Sequence, residues 1–273
     1  MPIVPKDFQL SLLKKEQVAK DTWTFYFDRT AVSDFDFLSG QYVRMTLDVI
    51  QPDERGTGRF FSISSSPLNK QYLTITTRIL QSAFKKTLFD LAPGTPVKFF
   101  GPVGRFIFND EETMPHIFLA GGIGITPSHS MLLYAAEKNL SFPITLFVSF
   151  STVEDVVFYD ELMKISADHP SIKVVYTITK PEADSSASSS WSKIQDQLDS
   201  GVPASWRVPR MTTKWTRETG RINADLIKKY CPDFLSSQYY ISGPPAMVDA
   251  MLAIVNEMGV PGEQVKKEKF VGY

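Results

Sequence analysis

The pattern of apolar residues changes once along this chain, near Met114, and that change restricts the fold more than any other feature. Before it lie short runs with strand character, separated by Gly, Pro and Asp turns. Thr22–Asp28 (TWTFYFD) is aromatic and β-branched, Tyr42–Leu47 (YVRMTL) and Tyr72–Arg78 (YLTITTR) alternate, and Pro96–Phe100 follows the turn Pro93-Gly94. Such runs predict an antiparallel barrel or sandwich. One helix is expected at Ser82–Leu91, with Phe84, Leu88 and Leu91 at helical spacing and Ser82 as its cap.

After Met114 strands and helices alternate. Strands are predicted at His116–Ala120, Ile144–Phe150, Lys173–Thr179 and Gln238–Ser242. Helices are predicted at Ser128–Lys138, near Asp155–Ala167, at Asn223–Tyr230 and at Pro245–Met258. This alternation predicts a parallel sheet with crossover helices. The expected fold class is two domains: an antiparallel β-barrel over 1–110, then an α/β parallel-sheet domain over 111–273, with the boundary near Asn109–Thr113. Residues 181–210 interrupt the alternation with the polar run PEADSSASSSW and read as a surface loop insertion.

A length of 273 residues suits two domains at roughly 150 residues each. Lys and Arg number 29 against 30 Asp and Glu, net charge −1, which argues against a nucleic-acid partner. The one cysteine, Cys231, excludes an intramolecular disulfide, a multi-thiolate zinc site and a four-cysteine iron–sulfur cluster. His116, His129 and His169 lack metal-ligand spacing, so no metal is expected, and His129 reads as a surface or packing residue. No run reaches the ~18 apolar residues of a membrane helix. The start, MPIVPKDFQLSLLKKEQ, lacks the features of a secretory signal, so a cytoplasmic protein without membrane insertion is expected.

Three segments carry candidate chemistry. In LAGGIGITP, Leu119–Pro127, an apolar strand runs into glycines and then a helix. Backbone N–H groups and a helix N-terminus suit a diphosphate, although the spacing is not GxGxxG and a ligand-free turn remains open. Arg59-Phe60-Phe61-Ser62 joins a phosphate-pairing guanidinium, an aromatic two positions on and a hydroxyl. A strand with an exposed arginine and a core phenylalanine is the alternative reading. Tyr240–Met247 (YISGPPAM) ends a strand in a stiff turn and opens a helix, at the strand end where α/β sheets bind ligands. Met247 and Met251, four apart, fit a core face. Lys228-Lys229 and Lys266-Lys267 read as solvated faces, with a docking patch for an acidic electron carrier as the alternative.

Taken in order, these segments and three others resemble the ferredoxin–NADP reductase-like flavoprotein reductases over nearly the whole chain. Gly40-Gln41-Tyr42-Val43 is similar to the family's GQY(V/L), RFFS to R-x-(Y/F)-(S/T), and Gly101–Phe106 (GPVGRF) to GPxGxF. GGIGITP is similar to GGxGxTP, Glu218–Ile222 (ETGRI) to ExGR(V/I), and SGPPAMV to (C/S)GPPxM.

The resemblance implies an FAD-dependent oxidoreductase with NAD(P)H as co-substrate. Hydride passes to flavin N5, and electrons pass to a separate acceptor such as ferredoxin or flavodoxin. The alternatives it leaves open are a reductase component of an oxygenase system and an electron-transfer flavin subunit of a larger complex. It implies that Arg59 binds the flavin phosphate, Phe61 packs on the ring and Ser62 reaches N5. Phe60, Thr76, Ser82 and Ala83 complete the FAD contacts, the glycine usual before Ser82 being replaced. Gly121, Gly122, Gly124, Thr126, Pro127, Gly243 and Pro244 would cradle the nicotinamide dinucleotide. Ser242 stands where many relatives carry cysteine. Glu268 and Phe270 match a C-terminal E-x-(F/Y), the aromatic covering the second flavin face, with Tyr273 as the alternative cover. Lys180 and Arg221 would favour the 2′-phosphate of NADPH, although the arginine's motif also occurs in relatives that use NADH.

Overall fold

The computed structural model describes residues 3–32, 34–80, 82–181 and 218–271. In the first half, in–out alternation produces six strands: β1 (Lys6–Ala19), β2 (Thr22–Asp28), β3 (Tyr42–Thr46), β4 (Gly58–Ser62), β5 (Tyr72–Arg78) and β6 (Pro96–Val103). They pair antiparallel in the order β4-β3-β6-β1-β2-β5. An antiparallel bridge between Ile63 and Ile75, with Ser64 N–H donating to the Thr74 carbonyl at 2.9 Å, joins the two ends of that order into a barrel. Inward residues such as Phe25, Phe27, Val43, Met45, Phe61 and Ile75 form its core. Burying each large side chain contributes about 1.5–3 kcal/mol. Helix α1 (Ala83–Asp90) closes one end with Phe84 and Leu88, and Ser82 caps it as expected, accepting from Lys85 N–H at 3.2 Å.

The second half contains β7 (His116–Gly121), α2 (Ile125–Glu137), β8 (Ile144–Phe150), α3 (Tyr159–Asp168) and β9 (Ile172–Ile178). After the undescribed segment come β10 (Glu218–Thr219), α4 (Ala224–Tyr230), β11 (Gln238–Gly243), α5 (Pro245–Glu257) and β12 (Val265–Lys269). The strands pair parallel throughout, in the order β10-β9-β8-β7-β11-β12. The chain winds outward from β7 in one direction and then in the other. A crevice therefore opens between the carboxyl ends of β7 and β11.

The sequence pattern had not shown β1 or β12. β1 bends across two neighbours, pairing with β6 first and β2 later, and its register shift between Leu12 and Lys14 breaks the alternation. β12 reads VKKEK, too polar to resemble a core strand, because it lies at the sheet edge. Helix α2 starts three residues before the expected Ser128. Apart from Pro181, the predicted insertion at 181–210 lies outside the described residues, as does Tyr273. Among the described residues no helix is long and apolar enough to cross a membrane.

Candidate functional site

The crevice between β7 and β11 is made of backbone. Gly121 ends β7, and Gly122–Gly124 form a 3-10 turn leading directly into α2. A Cβ on Gly124 would lie 2.5 Å from Gly243 Cα and 2.7 Å from the Ser242 carbonyl oxygen, so the two turns touch only because glycine stands there. Ser242 Oγ donates to the Gly124 carbonyl at 2.8 Å and ties them together. Neither α2 nor α5 has a side-chain cap at its start; Ile125 N–H is already bonded to the Gly122 and Ile123 carbonyls and Pro245 has no N–H, so what the crevice offers an anion is the positive ends of the two helices beside the glycine turn. Thr126 is buried and donates to the Ile123 carbonyl at 3.1 Å; Pro127 is buried behind it, and Pro244 is exposed at the rim. Met247 packs under both turns, 3.2 Å from the Cβ position of Gly121. Its helical spacing with Met251 signals only core packing, so the sequence pattern did not reveal this second contact.

The barrel side is made of charged side chains. Arg59 is held by Asp53 at 2.5 Å and by the carbonyls of Arg55, Gly56 and Gly58 at 3.1, 2.8 and 2.8 Å. Its guanidinium carbon lies 5.1 Å from the Phe84 ring centre. Lys85, nearly buried in α1, donates to Thr77 Oγ1 and sits 4.8 Å over the Phe61 ring. Burial, then the charges of Arg55 and Arg59, push its ammonium pKa down to about 7. Arg55 and Arg59 thus share one carboxylate, Asp53, and Lys85 lies close enough to feel both their charges, beside the start of α1. The pattern had not singled out Lys85, Arg55 or Asp53, because they gather across a loop and a helix.

Along β4 the side chains divide between the two faces. Phe61 is 3% exposed and lies in the barrel core, whereas Phe60 is 56% exposed and meets Tyr42 edge-on at 5.5 Å. Ser62 is buried opposite Tyr42 in the β3–β4 pairing. Thr76 is turned into a hydroxyl chain, 2.8 Å from Thr24 Oγ1 and 3.0 Å from Ser64 Oγ. Ala83, half-buried, is the first residue of α1.

Between the halves lies a cavity of about 240 Å³ lined by Tyr42, Gly104, Arg105, Phe106, Lys266, Lys267 and Glu268. Gly104 has φ +108°, and a Cβ there would come within 2.7 Å of the Tyr42 ring. Glu268 has a buried Oε2 without a hydrogen-bond partner, and burial pushes its carboxyl pKa up to about 7. Such a carboxyl can hold or release a proton near neutrality. Two residues on, half-buried Phe270 donates its N–H to the Gly243 carbonyl at 2.9 Å, so the chain end is tied to the crevice turn.

Lys180 and Arg221 are both exposed, each two residues beyond the paired ends Ile178 and Thr219 of β9 and β10. They share one edge of the sheet at its carboxyl end. His129, expected at the surface or in packing, is buried between the halves, bonded to the Ser64 carbonyl and to Glu161. Among the described residues no group of three or more His, Cys, Asp or Glu could hold a metal.

Two family models match the chain. The oxidoreductase FAD-binding domain covers residues 9–108, and the oxidoreductase NAD-binding domain covers residues 118–203. The chain is similar to the NADPH oxidoreductase of Mycobacterium tuberculosis (strain ATCC 25618 / H37Rv), 26% identical over 241 residues, which are 86% of this chain and 53% of that protein. It is also similar to the propane 2-monooxygenase reductase component of Gordonia sp. (strain TY-5), 24% identical over 257 residues, which are 93% of this chain and 65% of that protein. The chain therefore spans about half to two thirds of the length of these curated relatives.

Among solved structures, a ferredoxin NADP+ reductase from Neisseria gonorrhoeae, with bound FAD and NADP, matches at TM-score 0.70 and 18% identity, covering 97% of this chain and 98% of that one. The FAD/NAD-binding domain of a nitric oxide dioxygenase from Vibrio cholerae O1 biovar El Tor matches at TM-score 0.72 and 18% identity, covering 96% and 98%. These likenesses concern the fold alone.

Proposed function

The chain belongs to the ferredoxin–NADP reductase-like flavoprotein reductases, and from that premise we propose that it is an FAD-dependent oxidoreductase drawing electrons from NAD(P)H. The observation that carries the proposal is the presence of two half-sites, one in each half of the chain. One is a glycine crevice with two uncapped helix starts; the other is a cationic cluster beside α1. The cavity holding Glu268 is lined by residues of both halves of the chain. The residues fit FAD: Arg59, Arg55 and Lys85 supply charge for a diphosphate, and an anion there would favour the charged form of Lys85. When bound, FAD supplies the ring that accepts hydride and releases single electrons.

The chain's own part is to bind, orient and exclude water. Gly121, Gly122, Gly124 and the start of α2 take the dinucleotide phosphates, with Gly243 and Pro244 as the facing wall. Ser242 and Thr126 line the nicotinamide end. Tyr42, Ser62, Phe60 and Phe270 border the flavin, with Phe61 supporting β4 from within. Glu268 holds a proton at the junction of the halves. Orientation of this kind converts binding into rate. The division at residues 110 and 111 into an FAD domain and a nucleotide domain belongs to the same proposal. So does a cytoplasmic location.

The acceptor is a separate electron carrier such as ferredoxin or flavodoxin. A second reading, the reductase component of an oxygenase system, is favoured by the similarity to a propane 2-monooxygenase reductase component. The two differ in partner rather than in the site. The purified chain should be yellow and release FAD rather than FMN on acid treatment. A preparation that neither carries nor takes up flavin contradicts the proposal.

A further inference from the structure

His129 is the fifth residue of α2, the helix that starts at the GGIG turn, and its side chain is 6% exposed. Its Nδ1 lies 2.7 Å from the Ser64 carbonyl oxygen and its Nε2 2.8 Å from Glu161 Oε2 on α3. The ring stacks on Phe158 at 3.7 Å with 14° between planes. The next residue, Ser130, donates to the Ser65 carbonyl at 2.6 Å, and Ser66 donates to Glu137 at the far end of α2. Helix α2 therefore grips three consecutive residues, 64–66, of the barrel domain. That segment continues directly from Ser62, and Ile63 N–H is tied to the Gln41 carbonyl at 3.0 Å.

Both neighbours of the imidazole are acceptors. Burial pushes the Glu161 carboxyl up, but the hydrogen bond and charge from His129 outweigh it and hold Glu161 below its usual range. Glu161 is then ionised, so both ring nitrogens face acceptor oxygens. A residue needed only to fill space against Phe158 would have no reason to carry two polar nitrogens into this contact, where each must find a partner.

We propose that His129 is a positioning residue: it fixes the strand end bearing Ser62 against the helix bearing the nucleotide turn, setting the distance across which hydride passes. The proposal rests on the flavin-reductase reading above. A displacement of about 1 Å between reacting groups can cost on the order of a hundredfold in rate. Losing this strut should therefore slow hydride transfer much more than it weakens either cofactor's binding.

Anaerobic stopped-flow reduction of the FAD-loaded protein by NADPH and NADH tests this. His129→Phe keeps an aromatic ring and its stacking but removes both polar contacts. It should lower the limiting rate of flavin reduction by about tenfold or more, with nucleotide Kd and FAD affinity within about threefold. His129→Gln, which keeps one donor, should recover most of the rate. Glu161→Ala alters the half-exposed end of the strut, so its folding is spared; it should slow reduction by about threefold at unchanged nucleotide Kd. A wild-type limiting rate in folded His129→Phe, or in Glu161→Ala if the former does not fold, overturns the proposal. So does a rate loss matched by equal losses of FAD affinity and melting temperature in all three variants. Wild-type protein that is not reduced at all contradicts the flavin-reductase reading instead, before any variant is compared.

Discussion

Helix α2 begins without a side-chain cap, whereas α1 begins with Ser82 already accepting from Lys85 N–H. The same contrast runs through both halves of the site. In the α/β half the contact surface is backbone: Gly124 against Gly243, and two helix starts without side-chain caps. In the barrel half it is side chains: Arg59 and Arg55 paired with Asp53, and Lys85 beside them. A backbone site tolerates no added atom. A side-chain site tolerates exchange and loses charge in steps. The two halves should therefore fail differently under mutation.

The largest effect is expected at Gly124. A valine there would drive its Cβ into backbone atoms 2.5 to 2.8 Å away, none of which can rotate aside. Nucleotide affinity should fall by well over tenfold, read by titration, while FAD affinity stays within about twofold. Equal losses of both cofactors would mean that the two halves do not act separately. Arg59→Ala should do the reverse: FAD affinity falls by about tenfold to a hundredfold, the range for a hydrogen bond to a charged group, and nucleotide binding is spared. Arg59→Lys should fall between, because it keeps charge and loses the planar fork. Identical affinities in Ala and Lys variants would show that the cluster does not hold the phosphate.

That difference in materials also explains what was legible in the sequence. The parallel sheet, the barrel strands Thr22–Asp28 and Tyr72–Arg78, and the two glycine turns follow from periodicity and from residues only a few positions apart. Strand β12 was not legible, because an edge strand needs no apolar face. The cationic cluster was only partly so: Arg59 stood in a motif, but Asp53, Arg55 and Lys85 meet it through a loop and a helix. Phe60 and Phe61 are adjacent and chemically alike, and only the β3–β4 pairing decides which one faces out. Sequence alone makes His129 a surface or packing residue, and nothing in it pairs the ring with Ser64, 65 residues earlier.

A smaller effect concerns Glu268, at the junction of the halves. Its carboxyl pKa is raised by burial to about 7, so the native state binds more protons than the unfolded state between the ordinary carboxyl value and about 7. Stability from this group is present at acid pH and lost as pH rises through that window. In Glu268→Gln the loss should disappear, so the melting temperature falls less between pH about 5 and pH about 8 than in wild type, by a few degrees. Parallel pH profiles in the two proteins would show that Glu268 is solvated.

The smallest effect is expected at the exposed sheet edge. Lys180→Ala and Arg221→Ala should each raise KM for NADPH by up to about fivefold and leave NADH nearly unchanged, because exposed charge pairs contribute about 1 kcal/mol or less. Equal effects on both nucleotides would make these residues structural.

The most direct test of the account is anaerobic titration of the purified FAD-loaded chain with NADPH, followed by absorbance. If the backbone crevice and the cationic cluster form one working site, one equivalent of nucleotide bleaches the flavin band, and Gly124→Val abolishes bleaching while its flavin remains bound. A flavin that stays oxidised in wild-type protein with both NADPH and NADH present in excess would contradict it.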